Sequence, residues 1–219
     1  MPKIPVFNQD FEQADILFTK KPGSIISEAI SGALNLLDDS DFDPSHVIII
    51  QDDKWGIEAA ENGVKWCRLH PIWHGGYSYK ICRLPLTQES EKYWIVRHAL
   101  KYYGRPYDFT GLLMGFPLQI VTKLSSVLPV LRKIPVPLHL PGSFVCSAFV
   151  AQVLKDTGFF DFKLLKEWHP TRVTPAMLLR EIPWRYEYEF TFTPPDSGEC
   201  SGRELKPDAS RPDNPYGGS

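Results

Sequence analysis

Cys146 lies in the apolar run Phe144-Val145-Cys146-Ser147-Ala148-Phe149-Val150, which reads as the start of a buried helix. Pro141-Gly142 interrupt any earlier element, Ser143 is a candidate N-cap, and Gly158 closes the helix. Val145, Ala148, Phe149, Val153 and Leu154 share one face at helical spacing. A thiol on a first helical turn meets partial positive charge and N–H groups without intrahelical partners. Both favour an anion, first the thiolate and then the oxyanion of an attacked carbonyl. A lone cysteine in such a run is more often a small buried hydrophobe, so the thiol needs company before it implies chemistry.

A thiol nucleophile requires a base, and the base requires an orienting partner. His46 opens the β-branched run Val47–Ile50, a buried-strand signature, so its imidazole can face a cleft while the strand is locked in the core. Glu58 falls on the next predicted strand. A hairpin-like pairing of the two strands would carry its carboxylate to the imidazole, fix the tautomer and favour an imidazolium beside a thiolate. Taken singly, His46 is a strand-end histidine and Glu58 a solvated strand carboxylate. The remaining histidines carry less. His70 and His74 have the spacing of a helical metal pair, but Pro71 and Gly75-Gly76 argue for a loop and no third ligand is evident, so no metal site is expected. His98, His139 and His169 read as structural or surface residues.

The elements that must position these groups are legible in outline. Asp15-Ile16-Leu17-Phe18 reads as a strand, Ser24 to Leu37 as a helix, and Asp38 to Pro44 as an acidic loop. Gly56 to Ala60 and Val64 to Leu69 read as strands around an Asn62-Gly63 turn. Tyr79 to Leu84 is a further strand. Glu89 to Tyr103 is a helix capped by Thr87 and ended by Gly104, and Tyr186 to Phe192 alternates as a half-exposed strand. The pattern is α+β, a mostly antiparallel sheet packed against helices. Residues 1–193 form one domain, and 194–219 a Pro-, Gly- and Ser-rich tail too polar to fold.

The chain has 219 residues, is 43% hydrophobic and 23% charged, and carries a net charge of −2, which gives no general attraction to nucleic acid. No Walker A loop, GxGxxG or aromatic-laced basic run is present, so no nucleotide or nucleic-acid partner and no cofactor is expected. Cys67, Cys82, Cys146 and Cys200 are widely spaced, which argues against a zinc knuckle or a disulfide framework, although Cys67 and Cys82 could pair across strands. Met1 to Asp15 lacks the basic and apolar regions of a secretory signal, so synthesis in the cytoplasm is expected, with export by a dedicated machine left open. The apolar stretch 111–140 is broken by Lys123, Arg132, Lys133 and several prolines and cannot be a continuous spanning helix.

In chain order the chemical residues form a recognisable set: Asp15-Ile16-Leu17-Phe18, Ser45-His46-Val47, Ile57-Glu58-Ala59, Gly104-x-Pro106-Tyr107-Asp108-Phe109 and Val145-Cys146-Ser147. Over about residues 10 to 190 the chain resembles the circularly permuted branch of the NlpC/P60 papain-like superfamily, which includes lecithin:retinol acyltransferase-like proteins. In that branch the histidine precedes the cysteine, as here. The resemblance implies a permuted papain-like fold with Cys146 as nucleophile at a helix N-terminus, His46 as base and Glu58 as the third, polar member. It also implies that Tyr107 and Ser147 line the oxyanion or substrate site, and that Asp108 makes a turn contact. Cys-Ser-Ala stands where permuted bacterial members often have Cys-Ser-Glu, which leaves the substrate less defined than the fold.

The resemblance allows two substrate classes: fatty-acyl esters or amides of lipids, and peptide amides of bacterial cell wall. Residues 110–141 form an apolar insertion. Within it, 117–133 could make an amphipathic helix with Lys123, Arg132 and Lys133 as polar markers. Such a segment beside a nucleophile suits contact with a lipid surface or cover for an acyl chain, though it could equally pack as extra core. The expectation is therefore a thiol-dependent hydrolase or acyltransferase acting on lipid acyl groups. A cell-wall amidase or endopeptidase and a catalytically inactive binding module are the alternatives.

Overall fold

A computed structural model describes residues 5–20, 42, 44–86, 88–108 and 144–190. In chain order its elements are β1 (Ile16–Lys20), β2 (His46–Ile50), β3 (Trp55–Ala60), β4 (Gly63–Arg68), α1 (His70–His74), β5 (Ser78–Arg83), α2 (Glu89–Leu100), α3 (Cys146–Thr157), α4 (Lys163–Glu167), a 3-10 turn (Pro170–Arg172), α5 (Pro175–Glu181) and β6 (Tyr186–Phe190). The strands form one antiparallel sheet in the order β4-β3-β2-β1-β5-β6. The α+β architecture expected from the sequence is therefore present. The expected helix 24–37, most of the loop 38–44, the caps Thr87 and Ser143, the insertion 110–141 and the tail 194–219 lie outside the described residues.

Both faces of the central strands are covered, which is why β1 and β2 read as continuous apolar runs rather than alternating ones. Ile16, Phe18, Val47 and Ile49 point to a core shared with Ile95 of α2 and Phe149 of α3. Leu17, Ile48 and Ile50 point the other way, against Phe11 and against Trp73 of α1. The N-terminal segment is locked to this frame by charge. The Asp15 carboxylate, its side chain only 2% exposed, accepts from Arg83 Nε at 3.1 Å and Nη2 at 3.0 Å. Arg83 Nη1 reaches Glu12 at 2.8 Å, and Lys92 of α2 bridges Glu12 and Glu89.

Several sequence expectations are corrected. His70–His74 is a short helix, not a loop. Pro71 falls in its first turn, where a missing N–H is tolerated, and the two imidazoles lie 4.1 Å apart between ring centres. The helix begun at Glu89 stops at Leu100, and the chain then turns through Tyr103 to Gly104 at φ +78°. Its cap is Gln88, whose N–H donates to Glu91 at 2.9 Å. Cys67 and Cys82 do not pair. They stand on β4 and β5, with β3, β2 and β1 between. Four strand spacings amount to about 19 Å, far beyond disulfide reach.

The β3–β4 turn does more than reverse the chain. Its tip is Glu61-Asn62, one residue earlier than the expected Asn62-Gly63, since Gly63 already pairs with Ala60. Gly63 has φ +92°, and a Cβ there would come within 2.3 Å of the Arg105 carbonyl oxygen. The backbone of Gly104 and Arg105 is bonded to Val64 on both sides: Gly104 N–H donates to the Val64 carbonyl, and Val64 N–H to the Arg105 carbonyl, each at 2.8 Å. Gly63→Ala is therefore expected to lose roughly 2–4 kcal/mol, from the left-handed backbone and the clash together, read as a lower urea midpoint. An unchanged midpoint would mean that this crossing yields freely.

Candidate active site

α3 begins at Cys146 itself. Val145, in extended conformation, is the cap and offers no side-chain acceptor. The expected Ser143 cap gives way because Phe144 is held extended: its N–H donates to the Pro106 carbonyl at 3.0 Å, and its carbonyl accepts from Asp108 N–H at 3.1 Å. The chain can turn helical only after that bridge. The first helical bond joins Phe149 N–H to the Val145 carbonyl at 2.9 Å. Cys146, Ser147 and Ala148 occupy the first turn, ahead of that bond, and N–H groups at a helix start are the arrangement that receives a developing oxyanion. Gly158 closes the helix in the left-handed conformation, as expected.

His46 is the first residue of β2, paired with Thr19 of β1. Glu58 sits on β3, whose ladder with β2 pairs Ile49 with Ile57 and Ile50 with Gly56. The expected approach of carboxylate to imidazole is realised: His46 Nε2 lies 2.7 Å from Glu58 Oε2, with the two side chains 26% and 13% exposed. Cys146, 6% exposed, lies close enough to the imidazole for its sulfur to act on the His46 charge. With Nε2 engaged by Glu58, Nδ1 is the nitrogen left for the sulfur. The three residues named from sequence are thus in one cluster.

Burial and neighbouring charge compete within the cluster. Burial works against an imidazolium, but the charge and hydrogen bonding of the Cys146 sulfur and then of Glu58 prevail and raise His46 to about 10. Burial also works against ionised Glu58. His46, Lys65 and Cys67 overcome it and hold the carboxyl below its ordinary range. Tyr107 is half-buried close enough to feel the Cys146 charge, and burial followed by that charge pushes its phenol up, so it stays a neutral donor. Its backbone bridges Phe144 in parallel, two residues before the thiol.

Ser147, expected in the oxyanion or substrate site, has its hydroxyl engaged elsewhere. It is buried, and its hydroxyl donates to the Val173 carbonyl at 2.7 Å. A serine has one proton to donate, so this hydroxyl anchors α3 to the segment after the 3-10 turn, and only the Ser147 backbone N–H remains for an oxyanion. Asp108 is buried beside the Phe144 bridge, in keeping with a turn contact. Sequence reasoning passed over Lys65 and Cys67. A tip at Asn62-Gly63 would have set Cys67 opposite Glu58; the tip at Glu61-Asn62 shifts the ladder by two and sets Lys65 there instead, with Cys67 as the diagonal neighbour.

Among the described residues no three His, Cys, Asp or Glu side chains gather as a metal site, and no helix is long and apolar enough to cross a membrane. Compared with known families and with curated proteins, the sequence matches no family model and no curated protein.

Proposed function

We propose that this chain is a thiol-dependent hydrolase or acyltransferase with a permuted papain-like arrangement of the NlpC/P60 kind, acting through an acyl-thioester on Cys146. The observation that carries the reading is His46 held between the Glu58 carboxylate at 2.7 Å and the Cys146 thiol at the start of α3. The Cys146 thiolate adds to the carbonyl carbon of an ester or amide. The oxyanion forms against the N–H groups at the helix start, with Tyr107 O–H as a further donor. Imidazolium His46 then gives its proton to the departing oxygen or nitrogen as the C–O or C–N bond breaks. Neutral His46 next takes a proton from water, or from an acceptor alcohol or amine, which attacks the thioester and frees Cys146.

The apolar, basic composition of residues 110–141 favours a lipid acyl group over a cell-wall peptide. The discriminating experiment incubates the protein with phosphatidylcholine vesicles and, separately, with purified peptidoglycan, and reads released fatty acid or muropeptide by mass spectrometry. Fatty acid without muropeptide is expected; the reverse would transfer the reading to cell-wall cleavage.

The acid–base assignment has its own signature. His46 must be protonated to serve as the acid, so activity is expected below its raised value and lost as the pH climbs through about 10. Glu58→Gln removes one of the charges that raise it and should move this alkaline limb downward by about one pH unit. A limb that stays put in Glu58→Gln would separate Glu58 from the proton relay.

A further inference from the structure

Glu58 is gripped from the side opposite His46. In the β3–β4 ladder Glu58 stands directly across from Lys65, and Cys67 is its diagonal neighbour, since Gly56 pairs with Cys67. Strand alternation puts Lys65 and Cys67 on the face that carries Glu58. The contacts divide between the two carboxylate oxygens: His46 Nε2 at 2.7 Å from Oε2, and Lys65 Nζ at 3.8 Å from Oε1. The Cys67 thiol, diagonal to Glu58 in the ladder, is near enough for each group to act on the other's charge. A glutamate held by one contact can swing about its last torsion, whereas one held on both oxygens has a fixed plane.

We propose that Lys65 and Cys67 are positioning residues for the reaction, two arms of β4 that clamp the Glu58 carboxylate against His46. The inference rests on the acyl-thioester reading above and deepens it. Cys67 is suited to this role and not to that of a second nucleophile. Burial, and then the charge of Glu58, push its thiol well up, so it remains a protonated donor. The groups that face Glu58 are His46 from β2 and Lys65 and Cys67 from β4, and its charge is felt by Tyr107 in the segment before α3. Of these, His46, Lys65 and Cys67 favour the ionised carboxylate, so removing an arm makes Glu58 easier to protonate.

The test uses the full chain and two readouts that need no substrate: NMR titration of isotopically labelled glutamate carboxyl groups, and the rate of Cys146 alkylation by iodoacetamide at pH 5, followed on its peptide by mass. Lys65→Met and Cys67→Val are each expected to raise the pH at which Glu58 takes up its proton by about half a unit and to slow alkylation severalfold. Lys65→Arg and Cys67→Ser keep a donor and should behave as the unmodified protein. Lys65 is at the surface edge of the cluster, so Lys65→Met tests the clamp even where Cys67→Val fails to fold. A Glu58 titration and an alkylation rate unmoved in both variants, in a protein whose alkylation His46→Gln does slow, would overturn the clamp alone. A Cys146 that alkylates no faster than free cysteine, with or without His46, would overturn the acyl-thioester reading and the clamp with it.

Discussion

Replacing Cys146 by alanine is expected to cut acyl release by about a thousandfold or more, the largest functional effect of any single substitution in this chain. The reason is specific to the site. The alanine variant keeps the start of α3, so its N–H groups still receive a carbonyl oxygen. It also keeps Glu58 and His46 in contact. What disappears is the sulfur on which the proposed thioester forms. Substrate binding should therefore survive while turnover does not, which separates loss of a nucleophile from loss of a fold. His46→Gln should approach the same residual rate, since a base and its nucleophile act as a unit and their effects do not add. Two measurements check this: fatty acid released from vesicles, and an acyl mass increment on the Cys146 peptide after a brief incubation. Undiminished release from Cys146→Ala, or an acyl group trapped on another residue, would remove Cys146 from the mechanism.

Arg83→Leu is expected to be the most destabilising substitution, at about 3–5 kcal/mol. Asp15 is almost wholly buried, and Arg83 meets its carboxylate through Nε and Nη2. Burial raises the Asp15 carboxyl, and the Arg83 hydrogen bonds and charge oppose that rise without cancelling it. Without Arg83 the carboxylate must stay buried without its counter-charge, take a proton or draw the segment outward. Glu12 would lose a partner as well. The pH dependence follows from the sign of the shift. A carboxyl raised on folding is easier to bury when protonated, so the deficit should be greatest near neutral pH and shrink as the pH falls. Asp15→Asn in the same chain should restore part of the loss. Chemical denaturation of the three proteins at pH 5 and pH 7 provides the check. A full-sized deficit that persists in the double variant would mean that Arg83 acts through Glu12 and packing instead.

How much of this was legible in the sequence depended on whether the signal was local. β2, the β3–β4 hairpin and α3 could be read because a β-branched run, an Asn-Gly pair and an apolar helical face each lie within a few residues. His46 and Glu58 met as expected because they stand on neighbouring strands. The Asp15–Arg83 pair could not be foreseen, since nothing local joins residues on β1's approach and β5. The short elements between Gly158 and Tyr186 also escaped. α4, the 3-10 turn and α5 are five, three and seven residues long, too brief for periodicity to show. Pro170 and Pro175 look like breakers in a sequence, yet each opens a helical turn, where a proline is accommodated. Ser147 misled for a different reason. Its neighbourhood to Cys146 is sequential, whereas its hydroxyl answers to Val173, which approaches only in the folded chain.

The bridge between Tyr107 and Phe144 has a consequence for how such a protein can change over time. Asp108 and Phe144 are bonded to each other, so the chain leaves the site and returns to it at one point. The intervening residues form an excursion with closed ends, and lengthening such an excursion adds only a slowly growing entropic penalty. Among the described residues, the contacts that place Cys146 lie on either side of this closure. On the acyl-thioester reading proposed above, reactivity and choice of acyl group would then be separable traits: the sequence between Asp108 and Phe144 could change for a new substrate while Cys146, His46 and Glu58 stay in register.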